Sequence, residues 1–138
     1  MPERPGGTTQ AGYSKRPRLD KLGVKPGAKV ALVGHRDPAF RRELFTRTRD
    51  VSAGRLRRGC DLVFFAVDGS AELDRLAALE RAIKRDGAIW VLWPKGQKHI
   101  SETLIRDAAL RRGLVDVKVA AYSERLSALK LVIPVERR

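Results

Sequence analysis

The chain is poor in the residues that build disulfides and metal centres. Its 138 residues include one cysteine and two histidines. The single cysteine, Cys60, excludes an internal disulfide and any cysteine-based zinc site, and it fits a reducing cytosol. The two histidines, His35 and His99, lie far apart in the sequence and do not have the spacing of a histidine metal site. We therefore expect no metal cofactor.

Long apolar runs are also absent. No stretch approaches the roughly 18 consecutive apolar residues of a membrane-spanning helix. The N-terminal segment MPERPGGTTQAGYSKRPR lacks the apolar region of a secretory signal. No serine lies in the GxSxG setting of a hydrolase nucleophile. These absences predict a cytoplasmic protein without a membrane partner, and no motif identifies a catalytic residue.

Basic residues are abundant, and the formal net charge is +13. Such a surface attracts nucleic acid through counterion release. The segment from Arg36 to Arg58 holds eight arginines and three acids, but its two aromatic residues, Phe40 and Phe45, are assigned to the core. Without aromatic side chains on which bases could stack, a solvated helical face is the simpler interpretation. An accessory nucleic-acid-binding protein remains one alternative.

The pattern of apolar residues predicts two parts. Residues 1–19 have almost no apolar periodicity and are predicted to form a flexible basic tail. Residues 20–138 are predicted to form a single α/β domain, with buried strands at 29–34, 61–67 and 88–93. Three helices are predicted, one from Pro38 to about Arg47 with Asp37 as N-cap, one at 71–86 with Ser70 as N-cap and Gly87 as stop, and one from Ser101 to about Arg112.

The end of the chain changes period. Val115, Val117 and Val119 alternate with other residues, and a second strand is predicted at 127–133. Because the link between them is short, the two strands must form an antiparallel hairpin. The fold class is therefore a small three-layer α/β structure. Its sheet is mainly parallel and Rossmann-like, and it ends in an antiparallel hairpin.

Two resemblances accompany this pattern. The lead-in LGVKPGAKVALVG is similar to the segment before the first strand of class I methyltransferases, and the topology over about residues 22–133 resembles that fold. The motifs GYS (12–14), KLGVKPG (21–27), WPK (93–95), GLVDVKV (113–119) and LKLV (129–132) resemble a bacterial family known as a domain of unknown function. That second resemblance implies a small methyltransferase-like sheet without an assigned activity.

The chain departs from the methyltransferase pattern at three places. The turn after the first strand is GHRDP, with Gly34 alone, where the family has an acidic residue and a glycine-rich turn. No clear strand ending in an acidic residue, which would hold the cofactor ribose, is seen between Arg47 and Cys60. No catalytic Pro-Pro motif follows DLVFFAV. The resemblance therefore transfers no cofactor-binding residue. We expect no cofactor, with S-adenosylmethionine as the alternative.

Polar side chains follow the ends of the three predicted parallel strands. In open α/β sheets, ligands bind beyond the carboxyl ends of the strands. If the strands are neighbours, their end residues converge. The candidate ligand-binding residues are Gly34, His35, Arg36, Asp68, Ser70, Lys95 and Lys98. The competing interpretation is that these are ordinary polar loop residues, with Asp68-Gly69-Ser70 a turn and cap.

Three functions fit these observations. The leading interpretation is a non-catalytic, methyltransferase-like module that binds a partner protein or a small anionic ligand, with Lys95 as the sharpest candidate anion contact. The second is a degenerate S-adenosylmethionine-dependent methyltransferase. The third is the nucleic-acid binder, which differs from the others in its salt dependence.

Overall fold

A computed structural model describes residues 16–35 and 37–138. Six strands form one sheet in the order β2-β1-β3-β4-β6-β5. The strands are β1 (Val30–Val33), β2 (Val51–Ala53), β3 (Cys60–Ala66), β4 (Ile83–Pro94), β5 (Val115–Ala121) and β6 (Leu126–Val132). The first four strands are parallel, and β6 and β5 continue the sheet in the antiparallel sense. The predicted fold class is confirmed.

Helices cover both faces of the sheet. They are α1 (Arg18–Lys21), α2 (Pro38–Leu44), α3 (Leu76–Ala82) and α4 (Glu102–Arg111), with 3-10 turns at Ser70–Arg75 and Val135–Arg137. One apolar core lies between the sheet and α3 and α4, and it contains Val63, Ile89 and Leu129. The other lies beneath α1 and α2, and it contains Phe64 and Trp90. Strand β4 supplies residues to both cores, which explains why its sequence AIWVLW is apolar throughout.

The local signals for α2 and α4 act as predicted. The Asp37 carboxylate accepts a hydrogen bond from the Phe40 N–H at 3.0 Å, with Pro38 at the first helical position. Ser101 caps α4 in the same way. Helix α2 ends at Leu44, however, before the predicted Arg47. Phe45 lies just beyond the helix and is 38% exposed, so its assignment to the core was wrong.

The predicted helix at 71–86 is wrong at both ends. It begins as a 3-10 turn in which Ser70 is the first residue and Gly69 takes the N-cap position. Its last turn is part of β4, which starts at Ile83. Gly87 lies within this strand. Glycine is needed there because a β-carbon would lie 2.9 Å from the Cys60 carbonyl oxygen. Close packing of β4 against β3 therefore overrides the helical pattern of the sequence.

Strand β2 was not predicted. It has three residues and pairs with β1 at the sheet edge, with Val30 opposite Val51. Residues 54–59 then return across β1 to β3 without a helix. Leu56 in this crossover packs against the core on the α3 side. A strand this short, flanked by arginines, has too few apolar residues to give a pattern.

Two observations concern the ends of the chain and membranes. Residues 1–15 lie outside the described residues, so the tail stays a prediction. Helix α1 starts at Arg18, within the last two residues assigned to that tail, and Leu19 is buried. Over the described ranges, no helix is long and apolar enough to cross a membrane.

Candidate functional site

The carboxyl ends of the parallel strands meet at one edge of the sheet. From β1 the chain moves to β2 on one side, and β3 and β4 lie on the other side. The switch point of the topology therefore lies between β1 and β3, where open α/β sheets place their ligands. Pro94 at the end of β4 pairs with Leu126 at the start of β6, so the turn of the β5–β6 hairpin lies at the same edge.

A pocket of about 590 Å³ opens at this edge. We call it the switch-point pocket. Its size is within the usual range for small-molecule sites, roughly 300–1,000 Å³. It is lined by the ends of β1, β3 and β4 together with the hairpin turn: Gly34, His35, Asp37, Ala66, Val67, Asp68, Leu92, Pro94, Lys95, Gln97, Tyr122, Ser123, Glu124, Arg125 and Leu126.

The structure brings together four of the seven candidate residues. Gly34, His35, Asp68 and Lys95 line the switch-point pocket. Ser70 is exposed in the 3-10 turn and does not line it. Lys98 is exposed on the loop after β4 and does not line the pocket. Arg36 lies outside the described residues. The strands are neighbours as expected, and whether their ends bind a ligand stays a prediction.

Gly34 has a structural role. Its φ of +67° lies in the left-handed region. A β-carbon there would also lie 2.9 Å from the Ala66 carbonyl oxygen. The contact with β3 therefore requires glycine at this position, and Gly34 is not by itself evidence of a cofactor lying against the turn.

A hydrogen-bonded chain of three side chains forms one wall of the pocket. The His35 Nε2 atom lies 2.5 Å from the Tyr122 hydroxyl. That hydroxyl donates to Asp37 Oδ2 at 3.1 Å. Asp37 Oδ1 accepts the Phe40 N–H, so the same carboxylate also caps α2. The turn after β1 is thereby tied to the end of β5.

The protonation states within this chain follow from the local environment. Burial opposes the charge on Asp37, but hydrogen bonds from the Phe40 N–H and the Tyr122 hydroxyl lower the pKa of this carboxyl. Burial, followed by the charge of Asp37, raises the pKa of the Tyr122 phenol. Burial also lowers the pKa of His35, with Arg18 adding to the effect and Asp37 opposing it. At neutral pH we expect a carboxylate, a phenol and a neutral imidazole.

These states fix the direction of the hydrogen bonds. Because the Asp37 carboxylate only accepts, Tyr122 must donate to it, and His35 must then donate from Nε2 to Tyr122. The Nδ1 atom of His35 is left as an acceptor. It is buried and has no partner among the described residues.

Arg18 contacts both the backbone and the ring of Tyr122. Its guanidinium donates to the Tyr122 carbonyl oxygen at 2.9 Å and pairs with Glu43 at 2.5 Å. The same group lies 4.8 Å from the centre of the Tyr122 ring and 4.9 Å from that of Phe40. Helices α1 and α2 thus hold the end of β5 in place.

Lys95 makes two hydrogen bonds to the turn of the β5–β6 hairpin. Its backbone N–H donates to the Arg125 carbonyl at 2.9 Å, and its ammonium donates to the Ser123 carbonyl, also at 2.9 Å. The lysine after Trp93-Pro94 therefore holds the hairpin turn over the pocket. An ammonium group has three donors, so this bond leaves two for other acceptors.

The remaining lining combines apolar and charged groups. The ends of β3, β4 and β6 contribute Ala66, Leu92 and Leu126. Asp68 and Glu124 are exposed carboxylates in the lining, which also includes the cations Lys95 and Arg125. A ligand with an apolar ring and both signs of charge fits this surface best.

The hairpin side of the pocket was missed by the sequence analysis. Tyr122, Glu124 and Arg125 follow no buried parallel strand, and Asp37 was assigned only as a cap. The sequence predicts the hairpin but not which parallel strand β6 joins. Pairing of β6 with β4 is what places the turn at the strand ends.

Metal and thiol chemistry have no support in this region. Among the described residues, no three His, Cys, Asp or Glu side chains form a group that could hold a metal ion. Cys60 is fully buried, and its thiol donates to the Arg57 carbonyl at 3.2 Å. Burial raises the pKa of this thiol, although Arg57 and Lys29 oppose that effect. It is a packed side chain.

Comparisons with known proteins agree on the fold. No family model matches the chain, and no curated protein matches it. Among solved structures, it is similar to an S-adenosylmethionine-dependent methyltransferase from Aquifex aeolicus (TM-score 0.66, 13% identity, covering 84% of this chain and 87% of that one). It is also similar to magnesium protoporphyrin IX methyltransferase from Synechocystis with bound S-adenosylmethionine (TM-score 0.65, 13% identity, covering 85% of this chain and 74% of that one). A third similar structure is a ribosomal protein L11 methylase from Lactobacillus delbrueckii (TM-score 0.65, 14% identity, covering 84% of this chain and 74% of that one).

These similarities define the class of fold. The chain has the Rossmann-like α/β fold of the S-adenosylmethionine-dependent methyltransferases. At identities of 13–14%, they do not carry an activity to this chain.

Proposed function

We propose that this protein binds an adenosyl compound, S-adenosylmethionine or its product S-adenosylhomocysteine, in the switch-point pocket, and that it is a degenerate methyltransferase. The observation that carries the proposal is the position of the pocket. It lies beyond the carboxyl ends of β1, β3 and β4, at the switch point of a methyltransferase-like sheet. The similarity to methyltransferases, one of them with bound S-adenosylmethionine, supports this choice of ligand.

The pocket fits such a ligand in size and charge. A volume of about 590 Å³ accommodates a nucleoside with an amino-acid tail. The carboxylates of Asp68 and Glu124 complement the positive sulfonium and ammonium groups. Lys95 and Arg125 complement the carboxylate, and Leu92 and Leu126 offer apolar surface to the adenine. When bound, S-adenosylmethionine would supply an electrophilic methyl group.

The contacts that hold an adenosyl compound in this pocket must differ from those that the resemblance to class I methyltransferases implies. The turn after β1 has one glycine, whose conformation is explained by packing against Ala66. Strand β2 ends at Ala53 and is followed by Gly54 and Arg55, so it offers no carboxylate to a ribose. We therefore assign no catalytic residue. The chain's own contribution is to position the pocket walls through the His35–Tyr122–Asp37 chain.

The experiment is a thermal-shift and calorimetric titration with both adenosyl compounds. A ligand at 100 times its dissociation constant stabilises a protein by about 2.7 kcal/mol, which corresponds to a shift of roughly 8 °C at this size. We expect Asp68→Arg to weaken binding at least tenfold, since it reverses a charge at the mouth of the pocket. The matched control, Asp107→Arg, makes the same change on exposed α4 and should bind as the wild type does. No binding by the wild type, or equal loss in both variants, would refute the proposal.

A second candidate is the non-catalytic module that binds a small anion. It is favoured by the missing glycine-rich turn and the missing carboxylate after β2. Within the described residues the Lys95 ammonium makes one hydrogen bond, to Ser123, which leaves two of its three donors for an anion. In this case phosphate, and neither adenosyl compound, should shift the Gly34 amide in an NMR titration. That shift should disappear in Lys95→Ala.

A further inference from the structure

A second cavity lies at the opposite edge of the sheet, at the amino ends of the parallel strands. Its volume is about 520 Å³. The segment before β1, the starts of β3 and β4, and the end of β6 line it. We call it the Lys130 cavity, because the side chain of Lys130 is its half-buried cation.

Lys130 has no counter-ion among the residues that the structure describes. Its ammonium lies 5.9 Å from the centre of the Trp90 ring and close to Gly23. In the described part of the chain it makes no hydrogen bond and no ion pair. A half-buried ammonium without an acceptor loses solvation and gains only the weak attraction of the ring.

The cross-strand partner of Lys130 makes this placement less favourable. Lys118 on β5 pairs directly with Lys130 across the antiparallel ladder. Like charges in directly opposite positions destabilise a sheet. The Lys118 ammonium donates to the Lys21 carbonyl at 3.0 Å and stays on the same side. Burial, with Lys118 adding to it, lowers the pKa of Lys130.

The carboxylates of the cavity do not compensate these charges. Asp61 is already occupied, since Lys84 lies 2.9 Å from one of its oxygens and the Lys29 N–H donates to the other at 2.8 Å. Of the other charged residues that line the cavity, Asp86 is acidic, and Lys25, Lys130 and Arg138 are basic. The lining of the cavity therefore has an excess of positive charge.

We infer that the Lys130 cavity binds a phosphate group, either as inorganic phosphate or as part of a small phosphorylated metabolite, with the Lys130 ammonium as its main charge partner. A compact dianion would pair with Lys130 and Lys25 and would screen the repulsion between Lys130 and Lys118. The volume leaves room for an organic group beside the phosphate. This site is separate from the switch-point pocket and does not depend on the function proposed for it.

Amide NMR titrations with inorganic phosphate and with glycerol 3-phosphate, at about 0.15 M ionic strength to suppress diffuse charge effects, test the site. We expect shifts at the Gly23 and Gly27 amides, and none at Gly34. Tighter binding of glycerol 3-phosphate would point to a phosphorylated metabolite, whereas equal or weaker binding would point to free phosphate. Glycerol is the uncharged control.

Variants isolate the contribution of Lys130. Lys130→Met keeps the stem against Trp90 and should weaken phosphate binding at least tenfold, whereas Lys130→Arg should retain it. Lys25→Met changes an exposed loop residue and should weaken binding about threefold or more. Arg111→Met removes one charge from exposed α4 and should bind phosphate as the wild type does.

Stability gives a second readout. Without phosphate, Lys130→Met should melt at the same temperature as the wild type or higher, because a charge repulsion is removed. At saturating phosphate the order should reverse. Wild-type affinity in Lys130→Met, equal losses in Lys130→Met and Arg111→Met, or shifts that map away from Gly23 and Gly27 would each overturn the inference.

Discussion

The Tyr122 hydroxyl gives the most direct test of how the switch-point pocket is held together. It accepts from His35 and donates to Asp37, at 2.5 and 3.1 Å. Tyr122→Phe keeps the ring between Phe40 and Arg18 but removes both hydrogen bonds. Because only the middle group is removed, the His35 N–H is left buried without its acceptor.

The expected magnitude follows from these contacts. A hydrogen bond to a charged group contributes about 1.5–3 kcal/mol, and an unpaired buried donor costs about 1–3 kcal/mol. Since Asp37 is near the surface and can recruit water, we expect a total loss of about 2–4 kcal/mol. For a chain of this size, this lowers the melting temperature by roughly 6–12 °C.

The assay is denaturant unfolding of Tyr122→Phe, His35→Leu and the double variant. If the two side chains act through one hydrogen bond, the double variant should lose less than the sum of the single losses, by about 1 kcal/mol or more. A Tyr122→Phe loss below about 0.5 kcal/mol, the level of an ordinary surface substitution, would refute the buried chain. Additive losses would refute the coupling between His35 and Tyr122.

Two further predictions concern pH and packing. The lowered pKa of His35 means that the folded protein binds its proton less readily than the unfolded chain. Its contribution to stability is therefore complete above the unfolded pKa of about 6.5 and is lost as the pH falls towards the folded value. Unfolding at pH 7.5 and 5.5 should show a decline that is smaller in His35→Leu, and an equal decline in both proteins would contradict this. Gly87→Ala should cost about 1–3 kcal/mol through contact with the Cys60 carbonyl. Gly69→Ala, which meets nothing within 4 Å, should change the unfolding free energy by less than about 0.5 kcal/mol, and equal costs would show that β4 can move aside.

Several elements were predictable because their signals are local. The apolar runs of β1 and β3, the Asp37-Pro38 start of α2 and the Ser101 cap of α4 each depend on a few consecutive residues. The hairpin followed from the alternation after Val115. These local features were enough to define the fold class.

The elements that were missed depend on contacts between distant parts of the chain. Residues 83–86 have a helical pattern but extend because β3 lies alongside. Lys84 there pairs with Asp61 of β3. Strand β2 exists only as a partner of β1. No local pattern can encode either pairing.

The candidate site likewise contains residues with a local sequence signal and residues whose position depends on contacts between distant strands. Gly34, His35, Asp68 and Lys95 were found because each follows a recognisable strand. Tyr122 was not found, because its role arises from β6 pairing with β4. Ser70 and Lys98 were included by proximity in sequence, and they are not among the residues that line the pocket.

The central claim is that the switch-point pocket binds an adenosyl compound. The most direct measurement is an amide NMR titration of the wild-type protein with S-adenosylhomocysteine. We predict saturable shifts at Gly34, Asp68 and Ser123, with the Gly23 and Gly27 amides of the Lys130 cavity unaffected. Absence of shifts at millimolar ligand, or shifts confined to other parts of the chain, would contradict the claim.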